Sequence, residues 1–311
     1  MSLAPFVQIV ARGKGRARAM TLDEAQEAMT LILRGQAAPE AVGALLMVMR
    51  LRGETAEEIA GFTAALRAHV QGKLAQADLD WPSYAAGRSR GAPLFLLAAR
   101  LVGQAGYTIA MHGWNSHQSS NASLRDALDL AGPQVQYCPL ETLSPDAFAL
   151  LKLRDTFGLR SCFNTVLRMW NPSHAGASVQ GVFHPSYRSL QAQAADMLGQ
   201  RDLTIIKGGG GEFERHPGKQ ITLFGLRDGA HIEEVAAPII DATRRLHDVE
   251  KTIDLRALWQ GALRDPFAVA TVTGTAALAL WTLKAAPTTQ QTQAMADHLW
   301  ATRHQHESLS A

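Results

Sequence analysis

From Thr21 onward, apolar residues return every three or four positions: Ala25, Ala28, Met29, Ile32 and Leu33, then Val42, Leu45, Leu46 and Met49, then Ile59, Phe62 and Leu66. That period marks helices with one buried face. Thr21, with Asp23 and Glu24 behind it, predicts an N-cap and an acidic first turn; Pro39 and Thr55 predict two further starts, and Gly35 a stop. Residues up to about 72 are therefore expected to form an all-helical unit.

Near residue 80 the pattern changes to short β-branched runs that alternate with helical stretches. Strands are expected at Thr108 to Met111, Val135 to Tyr137, Val179 to Phe183, Leu203 to Ile206, Ile221 to Phe224 and His231 to Val235. Helices are expected at Pro93 to Gln104, Ser123 to Ala131, Pro145 to Phe157, Ser186 to Leu198, Pro238 to Asp248, Leu255 to Leu263, Thr273 to Ala286 and Thr289 to Arg303. The alternation predicts an α/β protein: a small helical domain beside a larger α/β domain with a mostly parallel central sheet flanked by helices. Ligands of such sheets sit at the carboxyl ends of the strands.

Composition adds limits. With 47% hydrophobic and 19% charged residues in 311, the chain has enough apolar surface for a full core. Its two cysteines, Cys138 and Cys162, are too few for a disulfide framework, and the first residues do not read as an export signal. A cytoplasmic protein is expected. The longest apolar run, near Ala276 to Leu283, is too short to span a bilayer, so no membrane partner is expected. A net charge of +2 selects no partner, but its distribution is uneven. Arg12, Lys14, Arg16 and Arg18 alternate with Ala and Gly. In an extended arm this row would put all four charges on one side, about 6.6 Å apart, as suits a polyanion; in an inter-helix loop it would only keep the turn solvated.

The candidate chemistry begins where Leu203 to Ile206 runs into Lys207 and the glycines Gly208 to Gly211. A buried strand that ends in a glycine turn is a common seat for phosphate, because bare backbone N–H groups approach the anion closely. The alternative is a tight strand-to-helix turn. A P-loop is excluded: the glycines of Gly211 to Lys219 have the wrong spacing, and Gln220 stands where a Ser or Thr would bind Mg²⁺.

Three stretches together resemble the anthranilate phosphoribosyltransferase family, which shares its fold with pyrimidine nucleoside phosphorylases. They are Met49-Arg50-Leu51-Arg52-Gly53-Glu54-Thr55 through Gly61, Met111-His112-Gly113, and Gly158-Leu159-Arg160-Ser161-Cys162-Phe163-Asn164 with Asn171-Pro172. The resemblance implies a helical domain of residues 1–72 into which about 160–176 pack, an α/β domain of 73–159 and 177–311, and dimerisation through the helical domain. Four departures fall where that family handles substrate. Its GTGGD loop corresponds to Ala85-Ala86-Gly87-Arg88-Ser89-Arg90, its NIST segment to Pro93-Leu94-Phe95-Leu96, and its Lys-His-Gly-Asn-Arg to Met111-His112-Gly113-Trp114-Asn115. Its Mg²⁺-binding Asp-Glu pair falls at Glu212-Phe213, leaving Glu212 or Glu214 as the one ligand if Mg²⁺ binds.

Removing one electrostatic element of a transfer reaction costs about 3 to 4 kcal/mol, and several are altered together. What replaces them is basic and aromatic, which resembles a YbiB-like branch associated with sequence-independent binding of DNA and RNA. The expected reading is a homodimer that binds single-stranded nucleic acid in a basic cleft and requires no cofactor. Phosphate contacts are assigned to Arg12, Lys14, Arg16, Arg18, Arg88, Arg90, His112, Asn115, Arg160, Arg168, Lys207, Gly208, Gly209, Arg215 and Lys219. Base stacking is assigned to Trp114, Trp170 and Phe213, and no residue is assigned to catalysis. Two alternatives remain: a divergent phosphoribosyltransferase, hence a glycosyltransferase, using phosphoribosyl pyrophosphate and Mg²⁺ with an unidentified acceptor, and a scaffold for an acidic protein.

Overall fold

A computed structural model describes residues 2–13, 15–69, 72, 74–84, 91–114, 123–241, 244–246 and 253–305. The chain opens with four helices, α1 (Ala4–Ala11), α2 (Leu22–Leu33), α3 (Pro39–Arg52) and α4 (Ala56–Ala68). Thr21 and Thr55 each close a reciprocal capping box. The Thr21 hydroxyl accepts from Glu24 N–H at 3.3 Å while the Glu24 carboxylate accepts from Thr21 N–H at 2.9 Å. Thr55 and Glu58 repeat the exchange at 3.3 and 3.0 Å. Glu58 is fully buried and does more than cap: it also accepts from Met20 N–H at 2.9 Å and pairs with Arg52, tying the starts of α2 and α4 to the end of α3.

The basic row between α1 and α2 is a turn, not an extended arm. Arg16 N–H donates to Gly13 O at 3.0 Å and Arg18 N–H to Ile9 O at 3.0 Å, so the chain reverses there. Arg12 and Arg16 are exposed, and Arg18 forms an ion pair with Glu24 at 2.6 Å. Lys14 lies outside the described residues.

The rest of the chain supplies β1 (Leu79–Ser83), α5 (Leu94–Gln104), β2 (Ile109–Gly113), β3 (Val135–Pro139), α6 (Leu140–Leu143), α7 (Pro145–Phe157), α8 (Phe163–Arg168) and β4 (Ala177–Val182). There follow α9 (Tyr187–Met197), β5 (Asp202–Lys207), β6 (Ile221–Arg227), β7 (Ala230–Ala236), α10 (Leu255–Gln260), α11 (Pro266–Thr282) and α12 (Thr289–Thr302). The strands form a seven-stranded sheet in the order β3-β2-β1-β4-β5-β6-β7. β1 to β5 run parallel, and β6 and β7 join antiparallel. Strand order reverses between β1 and β4, so the crevice at their carboxyl ends is the place where this topology leaves room for a ligand.

Three differences from the sequence pattern have local causes. β1 is hidden by Pro82, which lacks a ladder donor; its pairing with β4 ends at Asp80, and Pro82 falls beyond it. The expected helix from Pro238 is absent among the described residues, because Ile239 N–H turns back to Pro217 O at 2.7 Å. Residues Arg125–Leu130 form a 3₁₀ helix where a longer α-helix was expected.

Two cores cover the two faces of the sheet. One contains α5, α10, α11 and α12 against Leu79, Ile109 and Ile206. The other joins Met29, Leu66 and the rest of the helical unit to Leu143, Leu151, Phe163 and Trp170, and to Leu203 and Ile205 of β5. The stretch packed against the helical unit thus begins near Leu140. Arg67 braces the two, donating to Trp170 O and Met169 O, each at 2.9 Å. No described helix is long and apolar enough to cross a membrane.

Candidate anion-binding cleft

The glycine turn after β5 commits four of its amides to backbone carbonyls. Gly208 N–H donates to Val182 O at 3.3 Å, Gly209 N–H to Glu214 O at 3.1 Å, Gly211 N–H to Gly208 O at 3.3 Å and Glu212 N–H to Gly209 O at 3.1 Å. Glycine is required for steric reasons: a Cβ at Gly208 would overlap the Glu212 carbonyl oxygen, and Gly210 and Gly211 have φ of +63° and +92°. The expected cradle of free N–H groups at Gly208 and Gly209 is therefore replaced by a closed reversal beneath β4.

The two acids behind the turn are buried. Glu214 accepts from Phe95 N–H at 3.1 Å, which neutralises an open donor at the start of α5, where Pro93 offers no side-chain cap. Glu212 acts on Arg168, favouring the charged guanidinium against the effect of burial. Among the described residues no group of three or more His, Cys, Asp or Glu is arranged to hold a metal ion. Glu214 is engaged at the helix end through its Oε2 oxygen. Between the two acids, Phe213 is fully buried, edge-on to Trp81 at 5.5 Å, and offers no face to a base.

The cations gather on the other side of the β4 end. A cavity of about 510 Å³ is lined by Arg50, Arg154, Arg160, Arg168, Phe183 and His184, among others. Arg50, Arg154 and Arg168 lie in the last turns of α3, α7 and α8, where a positive charge suits the helix dipole. Arg160 follows the left-handed Gly158 that ends α7. Burial lowers the Arg160 pKa, and the neighbouring Arg154, Arg168 and Arg50 lower it further. Arg168 is 6% exposed and also pushed down by burial; one guanidinium nitrogen reaches Asn164 O at 3.4 Å and the other, Nη2, has no hydrogen-bond partner. None of the four arginines enters an ion pair among the described residues.

A second cavity, of about 330 Å³, holds Lys207, Lys219, Arg188 and His216. Val182 pairs with Lys207 in the sheet, and Tyr187 of the first cavity precedes Arg188 of the second, so the two adjoin along the carboxyl edge. The sequence pattern pointed to Arg160, Arg168, Lys207 and Lys219 and missed Arg50, Arg154 and Arg188. Their signal was present as basic residues at helix ends, two of them in or beside the stretches that carry the family resemblance.

Other expected contacts stand elsewhere. Arg215 is buried, donates to Ala237 O, and has a pKa lowered to about 10 by burial; it braces α11 through Arg215 N–H to Thr275 Oγ1 at 2.9 Å. His112 is fully buried, with Nδ1 at 2.7 Å from the Tyr84 hydroxyl and Nε2 at 3.1 Å from Asp80, which also accepts from Ser178 at 2.9 Å. That network ties β1, β2 and β4 together and leaves His112 no phosphate contact. Trp170 is buried under His112 at 5.8 Å, so it is core rather than a stacking platform. Trp114 packs edge-on to Phe148 at 5.5 Å. The exposed ring at the cavity mouth is Phe183, which the sequence pattern did not single out. Arg88, Arg90 and Asn115 lie outside the described residues.

Comparison with known proteins accords with this frame. Residues 7–70 match the helical bundle domain of the glycosyl transferase family. The anthranilate phosphoribosyltransferase of Geobacillus kaustophilus is 31% identical over 240 residues, 71% of this chain and 70% of that protein. The structure of the Thermus thermophilus enzyme of the same name superimposes with a TM-score of 0.73 at 21% identity, covering 92% of each chain. The Saccharomyces cerevisiae enzyme in complex with PRPP and Mg also gives 0.73, at 16% identity, covering 98% of this chain and 96% of that one. The chain belongs to the anthranilate phosphoribosyltransferase family.

Proposed function

We propose that this protein binds single-stranded nucleic acid with little sequence preference, as a homodimer formed through the helical domain, in a cleft inherited from phosphoribosyl transfer but no longer performing it. The observation that carries the reading is the cluster of Arg50, Arg154, Arg160 and Arg168, without ion pairs among the described residues, beside the cavity of Lys207 and Lys219. Adjoining cationic cavities along one edge suit a chain of phosphates better than one small substrate. Phe183, 49% exposed on the lining of the first cavity, supplies a flat face for a base. The test is fluorescence anisotropy of a labelled oligonucleotide at low salt, with binding expected below micromolar protein. No binding in that range would overturn the reading.

The second reading, a phosphoribosyltransferase with Mg²⁺, is favoured by the activity for which the relatives are named. Against it stand the closed glycine amides and the commitment of Glu214 to α5. Calorimetry with phosphoribosyl pyrophosphate and Mg²⁺ separates the two: heat that Lys207→Ala abolishes supports the enzyme, and its absence supports the nucleic-acid reading.

A further inference from the structure

We infer that the arginine cavity seats a terminal phosphate, the phosphomonoester of a nucleotide, with the adjoining base against Phe183. The inference rests on the nucleic-acid reading for the strand that follows, while the phosphate seat itself is tested separately.

A diester inside a strand carries one negative charge, whereas a terminal phosphate carries about −1.5 to −2 near pH 7 and offers three acceptor oxygens. The two cavities differ in the same sense. Lys207 and Lys219 are exposed and suit diesters that pass outside. The arginine cavity is deeper: Arg168 is 6% exposed, and its Nη2 is buried without a hydrogen-bond partner. Arg154, Arg168 and Arg50 press on Arg160, whose pKa is lowered first by burial and then further by these three like charges. Asp155, the carboxylate on the lining, is paired with Lys152 at 3.0 Å. A multiply charged anion relieves that repulsion through charge-assisted bonds to the guanidinium groups that line the cavity. The volume of about 510 Å³ lies within the range of small-molecule sites, enough for one nucleotide. Phe183 stands at the mouth, edge-on to His184 at 4.9 Å, with about half its surface open to stack on a base.

The experiment uses three oligothymidylates of one length, bearing a 5′-phosphate, a 3′-phosphate or hydroxyls at both ends, with anisotropy as the readout. Calorimetry compares thymidine monophosphate with thymidine. One phosphorylated end is expected to bind about tenfold more tightly than the hydroxyl form, and the monophosphate to give heat where thymidine gives none. Arg168→Gln should reduce that ratio to near one, and Arg154→Ala should reduce it in part, which keeps the test decisive if the buried variant does not fold. Equal affinity for the three oligonucleotides, with no heat from the monophosphate, overturns the inference and leaves general strand binding intact. Heat from the monophosphate with no oligonucleotide binding supports the phosphate seat with a free nucleotide as its source, and removes the nucleic-acid reading instead.

Discussion

The glycine turn and the arginine cavity lie side by side at the ends of β5 and β4, yet their polar groups are in opposite states. In the turn, the N–H groups of Gly208, Gly209, Gly211 and Glu212 all meet backbone carbonyls. In the cavity, buried Arg168 keeps a donor without a partner and its neighbours carry unpaired charge among the described residues. The turn has the sequence of a phosphate cradle; the cavity has the chemistry of one. A motif indicates what a backbone is able to do, but only the accounting of donors and acceptors says whether that capacity is still available.

The sharpest way to break this comparison is Gly208→Ala. The added methyl collides with the Glu212 carbonyl, so a loss of about 3 kcal/mol or more of stability is expected in urea unfolding. A variant that folded normally and lost only phosphate affinity would make the turn a cradle after all.

Arg160→Ala is expected to leave stability nearly unchanged, since Arg160 has no ion pair among the described residues, and to weaken strand binding about tenfold, or about 1.4 kcal/mol. Anisotropy titration reads that change directly. Glu214→Gln removes a charge from the start of α5 while keeping an acceptor there, so a stability loss below about 1 kcal/mol is expected, with binding preserved. If Glu214 held Mg²⁺, the same change would abolish metal-dependent binding.

The smallest effect is expected at Arg18. Its pair with Glu24 is exposed and screened by solvent, so removing it should barely change stability near neutral pH. The Glu24 pKa is lowered to about 2 from 4.5, first by the Arg18 hydrogen bond and then by the Thr21 amide. A depressed carboxylate contributes stability above its unfolded pKa and loses it as pH falls through the folded one. Arg18→Ala should therefore flatten the acid limb of the stability curve between pH 4.5 and about 2. Because Glu24 already neutralises Arg18, the same variant should weaken strand binding less than Arg160→Ala.

The sequence was most readable where structure is local. Thr21, Thr55 and Pro39 mark helix starts because capping is settled within three or four residues. The parallel strands showed as β-branched runs, except β1, where Trp81 and Pro82 break the pattern at a point the sheet tolerates. The site was half legible. Arg160, Arg168, Lys207 and Lys219 stood out from their loops, whereas Arg50 and Arg154 belong to helices whose ends meet only in the folded chain. Arg215, His112, Trp170 and Phe213 have the right chemistry for a nucleic-acid groove but are buried with internal partners. Burial depends on which face of the sheet receives each side chain, and charge or aromaticity alone does not reveal it.

The central claim is that arginine and lysine at the carboxyl edge hold phosphates without metal. The most direct measurement is strand affinity as a function of salt, with and without a chelator, for the native protein and Arg154→Ala/Arg160→Ala. The log of affinity should fall linearly with log salt, with a slope shallower in the double variant by about 0.7 for each phosphate that is no longer neutralised, and chelation should change nothing. Affinity that vanishes on chelation, or an unchanged slope in the double variant, would contradict it.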